Sequence, residues 1–302
     1  MLAIETEHLT KSYDGTTRAL DDLTLQIPEG AVFALLGPNG SGKTTSVRLL
    51  NGMLTPTAGR ATLFGLPAWE DVPRVHALCG VMTETAHPYE PLTADENLAF
   101  FGRLHGLDDA EIRNRADRWL GFFSLAGDRH RPVKTFSTGM RKRLLLAIAV
   151  LHAPRLLFLD EPTSGLDPEA AHAVNSLIRR LATEERVTTF LCTHQLRYAE
   201  DICDLFGFIA HGRLLASGTL RELQTRCRDA LTLEVRGTGF PPDRATQVGA
   251  DGVLRVPVTG DDEAGGLLAG LHAAGATVFE ARQVRMNLED LYFAVQKESR
   301  HG

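Results

Sequence analysis

The segment Gly37-Pro38-Asn39-Gly40-Ser41-Gly42-Lys43-Thr44 restricts most severely what this 302-residue chain can become. It has the form G-x-x-x-x-G-K-[ST], follows the apolar run AVFALLG (31–37), and leads into a helical pattern opening at Thr44. A strand, a glycine-rich turn and a helix N-terminus in that order turn successive backbone N–H groups inward around an anion. Lys43 then reaches the β- and γ-phosphates of a bound nucleotide. The Thr44 hydroxyl is placed to ligate magnesium, and Thr45 continues the site. ATP and Mg2+ are the expected ligands.

Further runs of the same kind follow. RLLFLD (155–160) precedes a helix near Pro168, and VTTFLC (187–192) precedes another near Leu196. Such alternation predicts a buried parallel sheet flanked by helices. Before it, AIETEHLTKSY (3–13) and RALDDLTLQI (18–27) alternate apolar and polar residues around Asp14-Gly15, as an antiparallel β-subdomain with one wet face would. Leu92 to Leu125 reads as a helical insertion. After Gly218 the pattern resets: strands at 230–237, 252–260 and 277–284 and helices near 262–274 and 287–296 predict a small α+β module. The expected division is a nucleotide-binding domain over 1–218, a helical linker over 219–229 and the module over 230–302. The apolar run from Leu144 to Ala153 is assigned to the core, and Arg141, Lys142 and Arg143 to a solvated helix face.

The second strand ends in Asp160-Glu161, so a buried strand delivers two carboxylates to its C-terminal edge. Asp160 is placed to hold the magnesium shell, and Glu161 to polarise the water that attacks the γ-phosphate. Between the two motifs, Ser137-Thr138-Gly139-Met140 opens an apolar helix and resembles the LSGGQ signature of ATP-binding cassette (ABC) ATPases. Ser164-Gly165-Leu166-Asp167-Pro168 is similar to that family's D-loop, with Asp167 its acidic residue. Thr193-His194 resembles its switch histidine, which implies that His194 contacts the γ-phosphate. Tyr13 stands where the family places an adenine-stacking aromatic, although one aromatic beside a turn serves equally to pack the β-subdomain. The match covers roughly 2–218. It departs from the family at Thr138, where a second glycine is usual, and at Glu84, where the Q-loop glutamine is usual. Glu84 is read either as a metal-shell residue or as an exposed loop acid.

The resemblance implies an ABC-type P-loop fold with a core sheet, an antiparallel β-subdomain and a helical subdomain. It also implies that the signature of one subunit closes over the ATP held by another. A chain with one copy of each motif resembles the separately encoded ATPase subunit of a transporter, a homodimer docked on a permease. The S-T-G-M signature, Glu84 and the C-terminal module resemble the exporter branch that includes drug-resistance and sodium-efflux ATPases. The alternative is an ABC ATPase acting on DNA or ribosomes. Against it, 32 basic and 38 acidic residues give a net charge of -6, without the basic surplus of a nucleic-acid binder. The longest charge-free stretch, Ala264 to Phe279, is broken by four glycines and falls short of a bilayer span. The resemblance to a transporter ATPase subunit implies a cytoplasmic location, peripheral on the inner face of the cell membrane. Cys79, Cys192, Cys203 and Cys227 form no C-x-x-C pair, as in a reduced chain without a zinc site.

Overall fold

The computed structural model describes residues 1–227, 231–245 and 247–299. It divides into two units, Met1–Ser217 and Gly218–Gly302. In chain order the first contains β1 (Leu2–Ser12), β2 (Arg18–Pro28), β3 (Val32–Leu36), α1 (Lys43–Leu50), β4 (Ala58–Leu63), β5 (Leu66–Pro67), α2 (Val72–Leu78) and β6 (Cys79–Met82). It continues through α3 (Ala94–Leu104), α4 (Asp109–Phe122), α5 (Thr138–Val150), β7 (Leu156–Asp160), α6 (Pro168–Glu184), β8 (Thr188–Thr193), α7 (Leu196–Ile202), β9 (Leu205–Ala210) and β10 (Arg213–Gly218).

The runs containing β3, β7 and β8 lie side by side in a six-stranded sheet of order β10-β9-β3-β8-β7-β6, and all three strands are buried along their whole length. Their pairings are parallel, with Leu36 opposite Thr193, Asp160 opposite Cys192 and Met82 opposite Leu159. The C-terminal ends of β3, β6, β7 and β8 are thereby brought to one edge. Ligands of open α/β sheets collect at such an edge. β9 and β10 form a hairpin closed by His211-Gly212, whose φ values of 49° and 79° suit a tight two-residue turn.

The predicted antiparallel subdomain is a second sheet, β2-β1-β4-β5, with Ile4, Leu9, Leu20, Leu23 and Ile27 buried on its inner face. The predicted helical insertion comprises α3 and α4, each opened by a capping box, Thr93 with Glu96 and Asp108 with Glu111. Both pack on α5, whose residues Leu144 to Val150 are buried in the core. None of the described helices is long and apolar enough to cross a membrane.

The solvated face expected of Arg141, Lys142 and Arg143 is not found. Lys142 is buried, Arg141 pairs with Glu90 at 2.9 Å, and Arg143 Nη1 donates to the Phe123 carbonyl at 3.2 Å. The reason is the helix period. Lys142, Leu145, Leu146 and Ala149 fall at i, i+3, i+4 and i+7, so Lys142 shares a face with core residues.

The second unit contains α8 (Leu220–Arg226), β11 (Leu231–Thr238), α9 (Pro242–Ala245), β12 (Val253–Pro257), α10 (Asp261–Ala273), β13 (Thr277–Arg285) and α11 (Leu288–Ser299). β11 is the central strand of an antiparallel sheet, order β12-β11-β13, with its own core of Leu233, Val235, Leu254, Val256 and Leu271. The helix expected as a linker is α8. Its Leu223 is buried and its Gln224 Nε2 donates to the Met286 carbonyl at 2.8 Å. Arg228, Asp229 and Ala230, where the linker was expected to end and the first strand to begin, lie outside the described residues, as do Thr246 and the expected terminal residues 300–302.

Candidate nucleotide-binding and hydrolytic site

The phosphate loop is held down by its neighbours. A Cβ on Gly37 would lie 2.2 Å from the Ile209 carbonyl oxygen, and one on Gly42, whose φ is +111°, would lie 2.7 Å from that of Ala19. Glycine is therefore required at both positions. Gly42 leads into α1 without a side-chain cap, leaving the first-turn amides of that helix without a side-chain acceptor. Lys43 is buried, and its Nζ donates back to the carbonyls of Gly37 at 2.7 Å and Pro38 at 3.2 Å, so the loop holds its own cation over its concave side. The Ser41 hydroxyl is buried with no hydrogen-bond partner among the described residues. A phosphate oxygen in the loop would satisfy these groups together.

Across the sheet edge, Thr44 Oγ1 donates to Asp160 Oδ2 at 2.9 Å. Burial raises the Asp160 pKa and the charges of Glu161 and Glu84 raise it further, opposed by the Thr44 hydrogen bond and the Lys43 charge. A carboxylate so placed gains from a cation. Among the described residues no three His, Cys, Asp or Glu side chains converge as a metal cage. That suits magnesium, which takes one or two carboxylates and completes its shell with water and phosphate oxygens. Thr44 and Asp160 fit that role. A cavity of about 280 Å3 is lined by Asn39, Gly40, Gly42, Lys43, Thr44 and Thr45 of the loop together with Glu84, Asp160 and Glu161.

Glu161 is only 4% exposed and adopts a left-handed φ of 49°. Such a conformation in a non-glycine residue costs about 1–3 kcal/mol and persists where its surroundings enforce it. Here the end of β8 enforces it. Glu161 Oε2 accepts from Thr193 Oγ1 at 3.0 Å, Oε1 accepts from the His194 backbone N–H at 3.0 Å, and His194 Nδ1 lies 2.7 Å from Oε1. The imidazole thus rests on the Glu161 carboxylate. The Thr193 hydroxyl, present in the sequence motif only as the neighbour of His194, is a direct partner of the Glu161 carboxylate. Its signal was its place as the last residue of a buried strand beside Asp160-Glu161.

The remaining candidates lie outside the cavity. Tyr13 is 60% exposed rather than packed in the β-subdomain, with its hydroxyl 3.4 Å from Thr45 Oγ1. Ser137 caps α5, its Oγ accepting from the Met140 N–H at 3.2 Å, and both Ser137 and Thr138 are exposed. A Cβ on Gly139 would meet Ala170 Cβ at 3.4 Å. Asp167 caps α6 by accepting from the Ala170 N–H at 2.8 Å. One chain therefore gathers the phosphate loop, Glu84, Asp160 and Glu161 around a cavity, and leaves Ser137–Met140 and Asp167 off it.

Residues 20–164 match the family model described as ABC transporter. The chain is 42% identical over 223 residues to the daunorubicin/doxorubicin resistance ATP-binding protein DrrA of Streptomyces peucetius, covering 74% of this chain and 67% of that protein. It is 35% identical over 300 residues to the Nod factor export ATP-binding protein I of Cupriavidus pinatubonensis, covering 96% of this chain and 89% of that one. The second similarity extends through the C-terminal unit. Among solved structures, cbiO1 of Clostridium perfringens, part of an ABC transporter complex, superposes with a TM-score of 0.69 at 26% identity, covering 74% of this chain and 91% of that one. A phosphate loop answered by two strand-end carboxylates is common to many nucleotidases, but with the signature helix between them and similarity of this extent the chain belongs to the ABC transporter family.

Proposed function

We propose that this chain is the ATP-hydrolysing subunit of a membrane exporter, working as a homodimer docked on a separately encoded permease at the cytoplasmic face of the membrane. The exporter reading is supported by relatives named for drug resistance and Nod factor export. One observation carries the dimer: the cavity gathers Lys43, Thr44 and Thr45 of the phosphate loop with Glu84, Asp160 and Glu161, and the N-terminus of α5, Ser137 to Met140, with Ser137 and Thr138 exposed, lies elsewhere. A second copy would supply that helix end to the γ-phosphate. The C-terminal unit lies outside this chemistry, and we assign it to dimer contact or regulation.

In this reading Lys43 leaves the Gly37 and Pro38 carbonyls for the phosphates, Ser41 donates to a phosphate oxygen, and Tyr13 stacks on the adenine. Magnesium, when bound by Thr44 and Asp160, neutralises phosphate charge and polarises the γ-phosphoryl group. Glu161 orients the attacking water while Thr193 and His194 fix its carboxylate, and His194 also reaches the γ-phosphate once the dimer closes. Closure drives the permease, and phosphate release reopens it.

Mixed subunits test the composite site. Ser137→Arg leaves monomer ATP binding intact and blocks closure, because a bulky cation fills the space of the partner's γ-phosphate. In a heterodimer of Ser137→Arg with Lys43→Ala, one composite site carries both lesions and the other carries neither. Half-site ATP binding is expected there, with the single intact site formed by the Ser137→Arg loop and the Lys43→Ala signature. If sites were not shared between subunits, each subunit would carry its own lesion, so a heterodimer with no site able to close and hydrolyse ATP would refute the composite arrangement.

Glu84 tests the metal shell. Glu84→Gln removes a charge from the edge that carries Asp160 and is expected to raise the magnesium concentration for half-maximal ATPase activity, with hydrolysis still measurable. An unchanged magnesium titration would return Glu84 to being a loop acid.

A further inference from the structure

Lys142 is 9% exposed, and among the described residues its ammonium has no hydrogen bond and no ion pair within 4.0 Å. Its stem is buried while its ammonium is not among the fully enclosed polar atoms, so the charge stands at the edge of the core, where nearby charges act on it through partial burial. Three contacts locate it. At the C-terminal end of α5, His152 Nε2 lies 3.0 Å from the Cys79 carbonyl oxygen at the start of β6. One turn earlier the Ala149 carbonyl closes on Gly80, where a Cβ would come within 2.1 Å. At the N-terminal end Arg141 pairs with Glu90, beyond β6, at 2.9 Å.

α5 therefore runs antiparallel to β6 across its face. Lys142 lies two helical turns, about 10.5 Å, back from Ala149 on the same side of the helix. At about 3.3 Å per residue that distance reaches roughly three residues past Gly80, to the segment containing Glu84. Glu161 stands beside it, because Met82 pairs with Leu159 in the neighbouring strand. Burial disfavours the charged form of Lys142, and the charges of Glu84 and Glu161 favour it. The same two carboxylates bear on Asp160. Three acids thus crowd one sheet edge, with Lys43 on the nucleotide side and Lys142 on the side of α5.

We propose that Lys142 is a positioning residue for hydrolysis: carried on the helix that begins at Ser137, its ammonium stands behind Glu84 and Glu161 and holds both carboxylates in their working places. It rests on Glu161 as the hydrolytic base. The glutamate at position 84 and the lysine at 142 are then two halves of one arrangement, linking the signature helix to the nucleotide edge within a single subunit.

The test is a double-mutant cycle on the full chain with Lys142→Met, Glu84→Gln and the pair, at saturating magnesium. Lys142→Met is expected to lower kcat about tenfold, the scale of coupling between interacting side chains, with little change in KM. Its nucleotide-free melting temperature should stay near that of the wild type, since Lys142 makes no hydrogen bond or close ion pair among the described residues and methionine keeps the apolar stem. Adding Glu84→Gln should recover the part of the lost kcat that comes from an uncompensated Glu84 and leave the part that comes from Glu161. A wild-type kcat in Lys142→Met, an equal loss in both Glu84 backgrounds, or a loss matched by a fall in melting temperature would each overturn the proposal. Should Lys142→Met not fold, Lys142→Gln carries the same cycle. A Glu161→Gln protein that retained full activity would instead strike the reading of the base and leave the Lys142–Glu84 coupling measurable by itself.

Discussion

Lys43→Ala is expected to lose ATP affinity by about two to three orders of magnitude, the range for truncating one partner of a hydrogen-bonded charge pair. In the free loop the Lys43 ammonium is buried and spans the carbonyls of Gly37 and Pro38, so it is already desolvated at the place where phosphate charge will arrive. Removing it leaves the backbone amides and Ser41 as donors to the phosphates without a fixed cation among them. Titration with a fluorescent ATP analogue measures the loss directly. Thermal unfolding supplies a second reading: ATP should raise the melting temperature of the wild type by mass action and leave that of Lys43→Ala nearly unmoved. A variant that still bound ATP tightly would show that Gly37–Thr44 is not the phosphate site.

The parts of this site that can be read from sequence are those built by contiguous residues. Gly37 to Thr44 form one strand–turn–helix unit, and Leu156 to Glu161 form one strand with its edge, so spacing alone places their groups. The anchoring of Glu161 was not legible in the same way. It depends on β7 pairing with β8, which sets Asp160 opposite Cys192 and so brings Thr193 and His194 to the neighbouring carboxylate across a separation of 32 and 33 residues. Lys142 shows the opposite failure. Three consecutive basic residues suggest solvent, yet the helix period already placed the middle one on the face shared with Leu145 and Ala149. β10 has no buried residue and β4 buries only Ala61 and Leu63 at its end, so neither gives more than a short alternation in the sequence. The signature residues are identifiable by their order in the chain, and they lie off the cavity that the phosphate loop lines; in the proposed dimer their ligand belongs to another copy.

Glu161→Gln is expected to retain ATP binding and to lower the hydrolysis rate by about 10²–10⁴-fold, the usual contribution of a positioned general base. Glutamine has nearly the shape of glutamate, and its amide oxygen can still accept from the Thr193 hydroxyl or the His194 N–H that now hold the carboxylate at 3.0 Å. The left-handed backbone at position 161 and the cavity wall are therefore kept, and the lost property is the negative charge that orients and deprotonates water. Two consequences follow from keeping the shape while removing the charge. The carboxylate's repulsion of the γ-phosphate disappears, so affinity for ATP should hold or improve. Hydrolysis no longer reopens the interface, so ATP and magnesium should convert the variant to a stable dimer on size exclusion while the wild type returns to its nucleotide-free state. Glu161→Ala separates position from charge, because it also strips Thr193 and His194 of their acceptor and should disturb the end of β8 as well as stop catalysis. Near wild-type turnover in purified Glu161→Gln would remove Glu161 as the base and require another group on this edge to activate the water.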